Sequence, residues 1–231
     1  MDSDAEASID FVVDDTLLTI TEIDASESLG STTITLTNTD AAVTITLGEG
    51  TNDISTDADF ADDITLAAEG GTDTIEILAD HAAIDEGDAI TNFEAGEDGD
   101  VISIDVSELT TAGTLASANN STLSAALAVI ITSDADGDGV VLGTNTNILR
   151  ITGSQTDITD AIGGLDLTAT AGANLDDNEG FLLLWTDGSD TYLSTVQVNG
   201  ANGAAFDNGF NIVQLVGVDI TDITAANFAF V

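Results

Sequence analysis

Four runs between residues 9 and 47 place an apolar or β-branched residue at alternate positions: Ile9–Val13, Thr16–Ile20, Thr32–Thr37 and Val43–Leu47. In Thr32-Thr33-Ile34-Thr35-Leu36-Thr37 and Val43-Thr44-Ile45-Thr46-Leu47 the period is two. That is the period of a strand with one buried face, and β-branched side chains pack well on a pleated surface. The links between the runs are short and rich in Asp, Asn, Ser, Gly and Ala, which suit turns. This part of the chain is predicted to be all β.

From Gly48 the turns acquire a recurring form. Gly48-Glu49-Gly50-Thr51-Asn52-Asp53-Ile54 is followed by Gly70-Gly71-Thr72-Asp73-Thr74-Ile75, each leading into a strand. Gly permits the tight turn, Asp offers carboxylate and carbonyl oxygens, and the apolar residue closes the rung from inside. The stretch Ile84–Val106 repeats the theme, with Ile90 and Phe93 as apolar anchors around an acidic turn that holds Asp88, Asp98 and Asp100. Such turns suit calcium, which takes roughly six to eight hard oxygen ligands in loose geometry. Asp53, Asp73, Asp88, Asp98 and Asp100 are therefore candidate ligands.

With Ile90-Thr91-Asn92-Phe93 and Asp100-Val101-Ile102-Ser103-Ile104 in place, the region from Gly48 to Leu109 resembles the end of an RTX (haemolysin-type calcium-binding) repeat array. WTDGSDTYLSTVQV and VQLVGVDITDITAANFAFV resemble the domain that follows such repeats, and Asn227–Val231 is similar to the uncleaved signal of type I export. The resemblance implies a secreted protein that binds calcium. Tandem perfect nonapeptides are absent, so one to a few calcium sites are expected rather than a full row.

The second half has acidic loops of its own. Asp134-Ala135-Asp136-Gly137-Asp138-Gly139 is the first half of an EF-hand-type loop, although Asn145 stands where a bidentate Glu would close it. We read Asp134, Asp136 and Asp138 as a calcium turn between strands, the alternative being a solvated acidic hairpin. Asp187 and Asp190 form a further acidic turn between the apolar run Gly180–Trp185, expected to be a covered central strand, and the strand Thr191–Val198. Short helices are expected at Ser121–Leu127 and within Ser154–Leu165, and the Asn-Gly pairs at 199, 202 and 208 are expected to mark tight turns. The predicted architecture is a β-solenoid or β-roll-like region over 1–109 followed by an antiparallel β-sandwich-like domain over 110–231, with one or two short helices.

Charge bounds the function. Asp and Glu number 43 against one basic residue, Arg150, for a formal net charge of −42. Repulsion on that scale opposes compaction unless cations bind or screen it. It excludes nucleic acid, whose affinity comes from Lys and Arg, and an anionic membrane surface. The beginning MDSDAEASIDF has no basic n-region or apolar h-region, and no apolar run reaches the ~18 residues of a membrane span. The abundant, periodic Ile, Val, Leu and Phe argue against disorder. We read Arg150 as a structural ion-pair residue.

No catalytic set is visible: His81 is the only histidine, and there is no Cys or Lys to partner it. One Trp and one Tyr offer little stacking surface for a sugar. The expected function is a secreted, calcium-dependent structural protein, not an enzyme, that self-assembles as a homo-oligomer or polymer into a surface layer, matrix or filament. A surface polysaccharide is a further expected partner. The alternatives are a calcium-stabilised binding module of an adhesin or exoenzyme, and a halophile protein whose acidity serves solubility.

Overall fold

A computed structural model describes residues 9–14, 20–37, 39–56, 60–77, 87–105, 130–133, 148–163, 165, 180–199 and 205–231. The chain winds back and forth between two sheets. Strands β1 (Ile9–Asp14), β3 (Thr32–Thr37), β5 (Asp53–Ser55), β7 (Thr74–Ile77) and β9 (Val101–Ile104) lie side by side in the first sheet. The strands between them in sequence, β2 (Glu22–Ala25), β4 (Thr44–Leu47), β6 (Asp63–Thr65) and β8 (Asp88–Thr91), line up in the second. Every pairing in this part is parallel. The all-β expectation and its solenoid-like first part are met.

Alternation produces the core. Ile34, Ile54, Ile75 and Ile102 are Cα partners from rung to rung of the first sheet, and Ile45, Ile64 and Ile90 are partners in the second. All seven are buried and belong to one apolar cluster between the sheets. In β3 to β7 the residues between them are exposed or half-buried Thr, Ser, Asp and Glu except for Thr32, so the period-two pattern sorts these rungs into an inner and an outer face. Both anchors of the 84–106 stretch are internal: Ile90 and Phe93 are 0% and 5% exposed.

The later residues extend these same sheets. The second sheet continues through β14 (Ala205–Val216), β13 (Thr191–Asn199), β12 (Gly180–Thr186), β11 (Ile148–Ser154) and β10 (Ile130–Ser133), with β14 parallel to β8. The first sheet gains β15 (Phe228–Phe230), parallel to β9 and preceded by a single 3-10 turn, Ala225–Asn227. Antiparallel pairing is confined to β12–β13–β14, since β10, β11 and β12 are mutually parallel. Both sheets therefore run on past residue 109. A pattern of inward residues does not encode strand direction, because it reads the same in a parallel and an antiparallel ladder.

Helix α1 (Ile158–Gly163) falls inside the expected Ser154–Leu165 segment and covers the outer face of the second sheet, where Leu149, Ile151, Phe181, Leu183, Trp185 and Val196 form a second apolar cluster with Ala161 and Leu165. Gly180–Trp185 is a central strand buried on both faces from Phe181 onward, as expected. The Asn208-Gly209 pair corrects a turn expectation: it lies inside β14. Its glycine is explained by close packing, because a Cβ there would stand 2.6 Å from Cγ1 of Ile158 on the covering helix. The expected helix at Ser121–Leu127 and the Asn-Gly pair at 202 lie outside the described residues, as does Gly200 of the pair at 199.

Gly87 marks the joint between the two halves of the second sheet. A Cβ at this position would collide with the backbone of Ile212 and Val213, where β14 lies against β8. Backbone cannot step aside as a side-chain tip can. Gly87→Ala is expected to cost more than about 2 kcal/mol, read as a fall in the urea midpoint.

Candidate functional site

The acidic turns meet at the corners where the chain enters each strand. In the corner column beside the first sheet, Asn52 Oδ1 accepts the Thr32 amide at 3.1 Å, Asp73 Oδ1 accepts the Asn52 amide at 2.8 Å, and Asp100 Oδ1 accepts the Asp73 amide at 2.8 Å. The column beside the second sheet does the same, with Asp62 Oδ1 on the Val43 amide and Asp88 Oδ1 on the Asp62 amide, both at 2.8 Å. Each side chain thus satisfies the corner amide of the rung before it. The repeat is 20, 21 and 27 residues in the first column, and 19 and 26 in the second.

All five side chains are buried. Asn52 also donates from Nδ2 to Asp73 Oδ1 at 2.9 Å and to the Gly50 carbonyl at 2.9 Å. Asp100 uses both oxygens, since Oδ2 accepts the Glu94 amide at 2.8 Å. The first column is closed by Asn227, whose Nδ2 donates to the Asp100 carbonyl at 2.8 Å while its Oδ1 accepts the Gly96 amide at 3.0 Å.

Burial makes the carboxyls of Asp73 and Asp100 costly to ionise. Burial pushes Asp73 up to about 6; the amide of Asn52 holds it down in part, and the charge of Asp100 pushes it further up. Asp100 is raised by burial too, against the pull of the Glu94 and Asp73 amides. The only basic side chain lies elsewhere: Arg150 on β11 is half-buried and its Nη1 donates to the carbonyls of Ile220 at 3.2 Å and Ile223 at 2.9 Å. It ties the 219–223 segment to the second sheet. Arg150→Met, which keeps the apolar stem but leaves both carbonyls, is expected to cost about 1–3 kcal/mol, measured by denaturant unfolding.

The expected calcium ligands fall into distinct groups. Asp73, Asp88 and Asp100 turn inward as amide acceptors. Asp53 and Asp98 are exposed on the turns. Asp187 and Asp190 lie together in the β12–β13 turn, where Asp187 Oδ1 accepts the amides of Ser189 and Asp190 at 2.7 and 2.8 Å and Asp190 Oδ1 accepts that of Gly217 at 2.8 Å. These bonds hold the Asp187 carboxyl below its ordinary range, the amide of Asp190 foremost. Asp134, Asp136 and Asp138 lie outside the described residues, as does His81.

Among the described residues no three carboxylate or imidazole groups converge closely enough to hold an ion. Asp73, Asp88 and Asp100 form a hydrogen-bonded set at the corners. Outside the column, Glu49, Glu69 and Glu94 from successive turns rim an open depression with Gly70 and Gly71, which gathers charge without forming a cage.

Sequence reasoning passed over Asn52, Asp62 and Asn227. A signal was present: Asn or Asp stands two residues before a buried Ile at 52, 62, 73, 88 and 100. No helix among the described residues is long and apolar enough to cross a membrane. Neither family models, curated proteins nor solved structures match the chain.

Proposed function

We propose that the protein is a calcium-dependent, extracellular structural protein that assembles with copies of itself. The observation that carries this reading is electrostatic. Forty-three acidic residues share a chain with one basic residue, and that arginine is half-buried against the backbone. The outer faces and turns of the solenoid are left with negative charge that only cations from solution can neutralise. Calcium would act from the exposed turns, with Asp53 and Asp98 among its ligands and Asp134, Asp136 and Asp138 of the sequence as further ones, while the buried corners keep their hydrogen bonds.

The sheet edges supply the assembly surface. Among the described residues β1 and β15 each pair on one side only, leaving backbone donors and acceptors of the kind that recruit another strand. Phe11 and Val12 on β1 are 41% and 63% exposed, so that edge is apolar as well. Export by a type I route and a place in a surface layer, matrix or filament follow the resemblance of the turns and of Asn227–Val231 to secreted RTX proteins. The lack of Lys and Cys and the single histidine support a role other than catalysis.

Calcium titration followed by circular dichroism and light scattering tests this reading. Calcium is expected to raise the melting temperature and then the scattering, EGTA to reverse both, and Val12→Lys to suppress scattering while the calcium-dependent folding signal stays. If sodium chloride at equal ionic strength does all that calcium does, the charge serves solubility in salt and the proposal fails.

A further inference from the structure

The only tryptophan and the only tyrosine of the chain are cross-strand partners, Trp185 on β12 and Tyr192 on β13. Their rings stack with centroids 4.4 Å apart and planes 13° from parallel. Both line a groove of about 620 Å³ on the outside of the second sheet, within the ~300–1,000 Å³ range of small-ligand sites. One side of the groove is the β6 and β8 edge of the solenoid, and the other is the start of α1. Few aromatic residues in the sequence argued against a stacking surface; the fold places both available rings in one wall.

The wall is fixed from behind. Trp185 Nε1 donates to Ser194 Oγ at 2.8 Å, and Ser194 Oγ donates to Asn211 Oδ1 at 2.6 Å. Tyr192 donates its hydroxyl to Asp187 Oδ2 at 3.1 Å, and Gln214 Nε2 donates to Asp190 Oδ2 at 2.7 Å. Asp187 and Asp190, expected as metal ligands, here position the ring and the amide that face the groove. Trp185 is buried and Tyr192 half-buried, so Tyr192 is the ring that a ligand meets, with Trp185 as its backing.

Two planar amides, Asn211 and Gln214, line the groove beside the rings. Gln214 gives its Nε2 to Asp190, which fixes the amide and presents its own Oε1 as an acceptor for a hydroxyl. An aromatic face next to amide and carboxylate groups matches a pyranose, which presents an apolar C–H face and a rim of hydroxyls. The acidic residues Asp63 and Asp157 also line it, and no basic residue does. A phosphate or uronic acid would be repelled.

We propose that this groove binds a neutral saccharide, with Tyr192 as the stacking ring and Asn211 and Gln214 as hydrogen-bonding amides. The inference goes beyond the assembly reading and stands on different residues. It gives the protein a way to hold an uncharged surface polysaccharide while its turns engage cations.

Trp185, as the single indole, reports the groove directly. The full chain in calcium is titrated with cellotriose, maltotriose and N,N′,N″-triacetylchitotriose, and with trigalacturonic acid as the anionic counterpart, following tryptophan fluorescence and calorimetric heat. The expected result is saturable binding of at least one neutral trisaccharide and none of the acidic one. Gln214→Ala should weaken it at least about tenfold. Thr159→Arg, an exposed rim residue filling the groove, should do so as well, with circular dichroism unchanged in both. Thr159→Arg also guards against misfolding of the strand variant, because it lies on the helix surface. No neutral sugar bound up to about 10 mM, equal binding by trigalacturonic acid, or binding indifferent to both variants would overturn the proposal. Light scattering recorded on the same samples reports assembly separately, so failure of one reading is distinguishable from failure of the other.

Discussion

Asp73→Asn is expected to stabilise the protein at pH 7 by about 1–3 kcal/mol and to have no effect near pH 4. The carboxyl is 2% exposed and pushed up to about 6 from an ordinary value of 3.8. A raised carboxyl means that the unfolded chain releases its proton first. Its contribution to stability is full below the unfolded value of 3.8 and is lost as pH rises through about 6. Asp100, raised in the same direction, adds to the trend. Asp187, held low by the amide of Asp190, acts in the opposite sense, but only as pH falls below the ordinary carboxyl range. The wild-type protein without calcium should therefore melt higher at pH 4.5–5 than at pH 7–8, the reverse of common acid unfolding.

An amide can replace Asp73 because the bonds it accepts from Asn52 N and Nδ2 both go to the one oxygen Oδ1. The same change at Asp100 should have the opposite sign. There Oδ1 and Oδ2 each accept a backbone amide, so Asn would turn an N–H toward an N–H, at a cost of about 1–3 kcal/mol. Urea unfolding of both variants at pH 4, 5.5 and 7 with EGTA checks this pair. A destabilised Asp73→Asn at pH 7 would mean that Asp73 works as a charged group, and repeating the series in calcium would show whether an ion is what it serves.

Ile75→Ala is expected to cost about 3–4 kcal/mol. Ile75 is fully buried in the middle of the first sheet's column, with Ile54 on one side and Ile102 on the other as Cα partners. Removing it leaves a void between two rungs that pairing holds at a fixed spacing, so little collapse can fill it. Ile75→Val should lose about 0.5–1.5 kcal/mol. Val12→Ala, on an outward position that is 63% exposed, should stay within about 0.5 kcal/mol. Denaturant midpoints rank the three, and equal losses at Val12 and Ile75 would contradict the inside–outside assignment.

The column itself was readable from residues alone. Thr-Ile alternation placed β3 and β4, and the recurring Gly-rich turns gave the solenoid. The shortest strands were harder. Glu22-Ile23-Asp24-Ala25 carries two acids in four residues, and its alternation is over before a period can be distinguished from chance. The acids at 73, 88 and 100 carry the oxygens of ion ligands in the sequence, and the fold adds that each accepts a backbone amide of the rung before. Sequence supplies the donor chemistry of a carboxylate but not its direction. The groove was not readable at all, because Trp185, Tyr192, Gln214 and Asp63 meet only once β14 lies against β8.

Asn227 closes the corner of a rung whose other members lie 127 to 133 residues earlier in the chain. A nascent polypeptide can stack its early rungs as they are made, yet the last of them stays open until residues 225–230 arrive. Closing so distant a contact is slow, because loop entropy must be overcome before the contact rewards it. The corner at Asn227 is therefore expected to close after those at Asn52, Asp73 and Asp100, whose bonds to the rung before span only 20 to 27 residues.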